Sequence, residues 1–152
     1  MSKFSGLALA VEKPQRMVIL HPVTKQPLRD AEGNEAYLDL FSGDSDVARK
    51  HDRTVVKSRL SGGGRKVTAE EVEAATPDRL AALTAGWRLI DLAGQPIDVS
   101  FSRDNARELY ADPAMTWLRE SAIIFTEDRG NFLPASSTTS SPTPNSSTGA
   151  AE

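Results

Sequence analysis

The chain contains no cysteine, which excludes disulfides and thiolate metal sites and fits a reducing compartment. It has two histidines. His21 precedes a proline turn and His51 lies on a weakly apolar helical face, and neither belongs to a pattern for metal ligation or base catalysis. No Gly-x-Ser-x-Gly elbow is present. No apolar run approaches the roughly 18 residues needed to cross a membrane. Residues 4–11 are apolar and end near Ala8-Leu9-Ala10, but only Lys3 is basic and the apolar part is too short for a signal peptide, so neither export nor insertion is expected. A net charge of −3 is too small to select a class of partner.

What remains is ordinary for one small domain: 152 residues, 39% hydrophobic and 26% charged. Both tryptophans and six of the nine aromatic side chains fall in residues 87–133, which is taken as the organising core. Leu89-Ile90-Asp91-Leu92 and Ile97-Asp98-Val99-Ser100-Phe101 flank a Gly/Pro turn and predict a hairpin. Ser102 is placed to cap a helix carrying Ala106, Leu109 and Tyr110. Asp112-Pro113 restarts the chain as a cap and a first-turn proline. From there Ala114, Trp117, Leu118, Ser121, Ala122, Ile124 and Phe125 share one predicted helix face. Ile123 is left on the opposite side, among Thr116, Arg119 and Glu120, as the apolar centre of a polar-rimmed surface.

Earlier in the chain, residues 1–16 form an arm that orders only if it docks. Met17-Val18-Ile19-Leu20 and residues 36–41 predict a second hairpin, turned at Glu32-Gly33-Asn34. Capping side chains at 42–46 then open a helix of about 15 residues whose apolar face, Val47, His51, Thr54, Val55 and Ser58, is thin. A glycine-rich loop occupies 61–65, and after it Thr68 with Glu71 makes a capping box. Pro77 costs about 3 kcal/mol inside a helix, so a fresh turn is expected at Thr76-Pro77. A weak internal echo relates residues 33–49, from Gly33-Asn34 to Arg49, to residues 94–107, from Gly94-Gln95 to Arg107; each is a turn, a strand and a capped helix. From Pro134 the composition turns to Ser, Thr, Pro and Ala with no large apolar side chain, which predicts a disordered tail at 134–152. The expected fold is α+β, with hairpins near 17–41 and 89–101 and three or four helices around Trp87, Phe101, Leu109, Trp117, Leu118 and Phe125. The domain spans 17–133.

Two loops imitate ligand sites without their chemistry. In the segment from Gly62 to Thr68, Arg65 replaces the glycine that a phosphate loop needs before its lysine, and Val67 separates Lys66 from the hydroxyl. Asp44, Asp46 and Asp52 lack the glycine and terminal glutamate of a calcium loop. No catalytic set, cofactor site or metal site is expected. Charge is more informative: seven cations against Asp52 alone give residues 47–66 a charge of +6, leaving −9 elsewhere. Arg49, Arg53 and Lys57, spaced i, i+4, i+8, form a stripe suited to an acidic protein surface, or more weakly to nucleic acid, since no aromatic side chain interleaves for stacking.

The pattern Trp87, Asp91, Gly94-Gln95-Pro96-Ile97-Asp98, residues 101–110, Pro113, Trp117-Leu118 and Asn131-Phe132-Leu133 resembles the tail assembly chaperones of long-tailed bacteriophages. Pro22-Val23-Thr24, Tyr37-Leu38-Asp39-Leu40 and residues 44–50 are similar to the first half of the same proteins. The resemblance implies a non-enzymatic protein in the cytoplasm of the infected host. Such a protein binds the tape-measure protein, keeps it soluble, helps recruit tail-tube subunits and is absent from the finished virion. Self-association stays open, and no membrane partner is implied. The expected partner surface is Arg49, Arg53, Lys57, Arg119 and Ile123. The alternatives are a nucleic-acid-binding module using residues 47–66 and a small structural virion protein.

Overall fold

A computed structural model of the chain describes residues 3–62 and 66–134. The expectations for the glycine loop at 63–65 and for the tail from residue 135 lie outside the described residues. Strands β1 (Gln15–Val18), β2 (Tyr37–Leu40), β3 (Thr84–Ile90) and β4 (Pro96–Ile97) form one antiparallel sheet in the order β1-β2-β3-β4. Helices α1 (Asp46–Ser61) and α2 (Ala69–Leu83) lie between β2 and β3, and α3 (Arg103–Ala111) and α4 (Thr116–Glu127) come after β4. The fold is α+β, built from two hairpins that the β2–β3 pairing joins.

The same chemistry makes the reversals that precede β2 and β4. Asp30 Oδ1 accepts the N–H groups of Glu32 and Asn34, and Asp91 Oδ1 accepts those of Ala93 and Gln95, all at 2.9 Å. Three residues on, Gly33 and Gly94 take φ of +87° and +92°, a conformation that suits a residue without Cβ. The internal echo therefore begins at the two aspartates, three residues before the glycines. Beyond Ile97 the second hairpin stops short of the expected Phe101. Trp87 Nε1 donates to the Val99 carbonyl at 2.8 Å and Asn105 Nδ2 to that of Ser100 at 2.9 Å, so side chains occupy carbonyls a longer ladder would have used.

The helix starts obey local rules. Ser45 accepts from Ala48 N–H, Ser102 from Asn105 N–H, and Thr68 and Glu71 form the reciprocal box. Asp112 caps a 3-10 turn at Pro113–Met115, and α4 begins one turn later. The fresh turn expected at Thr76-Pro77 is absent: α2 runs through Pro77, whose ring is buried, so packing offsets the missing hydrogen bond. The N-terminal arm docks, with Ala10 N–H on the Phe132 carbonyl at 2.7 Å and Glu12 receiving Asp46 N–H at 3.3 Å.

The core lies further back in the sequence than residues 87–133. Its fully buried centre includes Ala36, Leu38 and Leu40 of the β2 region, Leu83 and Tyr110, with Phe132 buried at the end of the domain. Leu118 joins it, whereas Trp87, Phe101, Leu109, Trp117 and Phe125 are only partly buried against it. Trp87 and Phe101 stack edge to face at 5.2 Å between centroids. On α4, Trp117 and Phe125 are partly buried against the core and Ile124, expected on the same face, is exposed; the buried residues are Leu118 and Ala122, both on the expected face, and Thr126. Thr126 is tolerated there because its hydroxyl donates to the Ile123 carbonyl at 3.0 Å.

Candidate functional site

The packing of α4 reverses the roles of two adjacent isoleucines. Ile123 packs against the core and lines a cleft with Ala75, Arg79 and Leu80 of α2, so it is not the exposed anchor that the sequence suggested. Ile124 is the one that points out, 68% exposed. The strongly apolar pair Trp117 and Ile124, one i, i+7 step apart, draws the apparent stripe toward itself, while Thr126 marks the core side inconspicuously.

Ile124 and Trp117 form a shallow surface with Leu20 and Pro22, rimmed by His21, Lys25, Glu120 and Ser121. The loop that supplies half of it is fixed by its own hydrogen bonds. His21 N–H donates to the Gln26 carbonyl at 2.8 Å, Lys25 N–H donates to the His21 carbonyl at 3.0 Å, and His21 Nδ1 accepts the N–H groups of Val23 and Thr24. Lys25 takes φ of +63°, an uncommon conformation for a residue with a Cβ. This closure leaves Val23 exposed beside the patch.

The four predicted cations divide by function. Arg49 donates to the Asp44 carbonyl at 2.9 Å and lies within 4 Å of Glu12 and Asp46, so it ties the arm to the start of α1. Arg119 donates to the Tyr110 carbonyl at 3.0 Å, meeting one of the unpaired carbonyls at the end of α3 where positive charge is favourable. Arg53 and Lys57 make no ion pair among the described residues. They flank Val56 and Leu60 on a shallow face of α1 that shares no lining residue with the Trp117–Ile124 patch. The five residues expected to form one surface are therefore not brought together.

The α1–α2 pair presents a second kind of surface. Asp52 receives Arg79 Nε at 3.0 Å at the base, and Arg107 binds Asp78 at 2.7 Å, so α3 braces α2. Away from that base every described position in 66–76 is exposed, and Val56, Leu60, Val67 and Val72 have no cover. A groove of about 540 Å³ runs between the two helices, with Val55, Val67, Ala74 and Ala75 among its lining. His51 lines it as well; partial burial pushes the imidazole pKa down, Asp52 and Asp78 oppose that shift, and Arg103 and Arg79 assist it. Among the described residues no three acidic or histidine side chains gather as a metal site.

These apolar surfaces were legible only in part. Val56 and Leu60 are spaced i, i+4 and follow Arg53 and Lys57 by three residues each, a signal that a count of cations alone passes over. Comparisons with protein-family models, with curated proteins and with solved structures find no match.

Proposed function

We propose that this chain is a tail assembly chaperone of the long-tailed bacteriophage type, which binds the tape-measure protein and keeps it soluble while tail-tube subunits are recruited. The observation that carries the reading is the unpartnered patch of Trp117, Ile124, Leu20 and Pro22 with its polar rim. A large aromatic beside an exposed aliphatic, surrounded by polar groups, is the arrangement in which a few residues dominate binding. A long helical partner with apolar stripes matches it, since such stripes aggregate until something covers them. Contacts this small are individually weak. Repeated along a long partner they accumulate into useful affinity and still release step by step, which an assembly factor absent from the finished particle requires.

The sequence resemblance over residues 17–133 supports the same reading in a different way. Asp91 and Gly94 make a turn, Ser102 a cap, Tyr110 a buried bond to Thr84, and Asn131 a bond to the Phe125 carbonyl. These resemblance-carrying residues thus specify a scaffold, and two others, Pro22 and Trp117, line the patch itself.

Co-expression with the tape-measure protein of the same phage tests the proposal. The wild-type chain should hold that protein in the soluble fraction and co-purify with it. Ile124→Asp should release it while leaving the melting temperature unchanged, because the side chain is exposed. No retention by the wild type, or equal retention by Ile124→Asp, overturns the reading.

A further inference from the structure

We propose, on the reading that the Trp117–Ile124 patch holds the tape-measure protein, that His21 decides which segments of that protein fit. Its imidazole is a fixed hydrogen-bond donor, and it selects an apolar side chain accompanied by a carboxylate.

Two backbone bonds settle the state of the ring. Val23 and Thr24 N–H groups donate to His21 Nδ1 at 3.0 and 3.2 Å. A nitrogen that accepts two N–H groups carries no hydrogen of its own, so the proton of the neutral imidazole sits on Nε2. A half-turn of the ring would set Cδ2–H against both donors and strand them. The backbone N–H and carbonyl of His21 are also taken within the loop, by Gln26 and Lys25. Nε2 is the ring nitrogen left for a partner. It makes no hydrogen bond among the described residues, and the ring lines the same surface as Trp117 and Ile124.

The neighbours set the sign. Lys25, on the same loop, and Glu120, on α4, are the charged groups of this surface, and neither makes an ion pair among the described residues. A partner group that faces the loop therefore meets an N–H and an ammonium together, which favours oxygen atoms bearing negative charge. A partner cation there is repelled by Lys25 and finds Nδ1 already filled, whereas Glu120 receives one on the helix side. The segment that fits carries an apolar residue for Trp117 and Ile124 and a carboxylate toward the loop. On a partner helix the two stand about one turn apart.

The first test needs no partner. NMR of the ring nitrogens at about pH 8 should show Nε2 protonated and Nδ1 bare, and the reverse overturns the proposal. His21→Asn then separates the loop bonds from the donor, since asparagine Oδ1 stands where Nδ1 stands but the side chain ends one bond short of Nε2. The Val23 and Thr24 amides should exchange as slowly in this variant as in the wild type, and at least about tenfold faster in His21→Ala. Rapid exchange in His21→Asn, or slow exchange in His21→Ala, overturns the role of Nδ1. Tagged variants are then co-expressed in competition with the wild-type chain for the tape-measure protein. His21→Asn should be recovered about tenfold less than the wild type. Lys25→Glu should be recovered less than Lys25→Gln, because a carboxylate of the partner is repelled by the first and only unpaired by the second; equal recovery overturns the acidic class. If His21→Asn competes as well as the wild type while Ile124→Asp does not, this proposal falls and the patch remains the binding site. A wild type that retains no tape-measure protein overturns both.

Discussion

Tyr110 and Thr84 offer a test of how the core's polar groups are paired. Tyr110 is fully buried, its Oη 2.8 Å from Thr84 Oγ1, and Thr84 Oγ1 lies 2.7 Å from the Leu80 carbonyl. A carbonyl can only accept, so the single Thr84 proton goes to Leu80 and the Tyr110 proton must go to Thr84. The two deletions are therefore unequal. Tyr110→Phe removes a donor and leaves Thr84 with an unused lone pair, a loss of about 1 kcal/mol. Thr84→Val keeps the shape but strands the tyrosine O–H as a buried donor and frees the Leu80 carbonyl, a loss of about 2–3 kcal/mol. Together they replace both partners by apolar groups, so the double variant should lose at least about 1 kcal/mol less than the sum. Urea denaturation at neutral pH measures all three. Tyr110 is protonated there, because burial pushes its pKa up to about 12 against the lowering effect of the Thr84 bond. Additive losses, or a Thr84→Val variant no worse than Tyr110→Phe, would refute the donor assignment.

Gly94→Ala should destabilise more than Gly33→Ala: both have positive φ, but an added Cβ at Gly94 would lie 3.2 Å from the Arg29 carbonyl oxygen, whereas that at Gly33 meets nothing within 4 Å. Thermal melts compare them, and equal losses would remove the role of that contact. Lys25→Gly should stabilise by about 0.5–1 kcal/mol by relieving its positive φ, partly opposed by the entropy a glycine adds to the unfolded chain; a loss in urea denaturation would contradict this. His51, whose pKa is lowered in the fold, binds its proton more readily when unfolded, so it contributes a loss of stability as the pH falls from about 7 through its unfolded value near 6.5, complete below the folded value. His51→Gln should make the difference in melting temperature between pH 7.5 and 5.5 smaller than in the wild type, and an unchanged difference would exclude His51 as a source.

Local instructions in the sequence were the readable ones. Ser45, Thr68, Ser102 and Asp112 each act within four residues of their own position, and each makes the expected capping bond. The β2–β3 pairing was not readable, because it joins residues nearly fifty apart and depends on where two helices carry the chain. Pro77 misled because its cost is local and its compensation tertiary. The phase of α4 misled in part, because Thr126 and Ile123 pack inward while Ile124, the more conspicuous neighbour of Trp117 on the wheel, points out. Arg49 and Arg119 had the correct charge for a binding surface, yet periodicity fixes only the side of a helix from which a guanidinium leaves. Whether a neighbouring carbonyl takes it is settled by the fold.

The exposed reach of the α1–α2 hairpin has a consequence for motion. Its backbone hydrogen bonds toward the tip are shielded by few apolar neighbours, whereas those near Leu80 and Leu83 lie beside the buried core. Opening the tip therefore disrupts little else, and its amides should exchange with solvent through local fraying while the sheet exchanges only through wider unfolding. The hairpin is firmly rooted and soft at its end, so a contact made there can form and dissolve while the body of the domain stays folded.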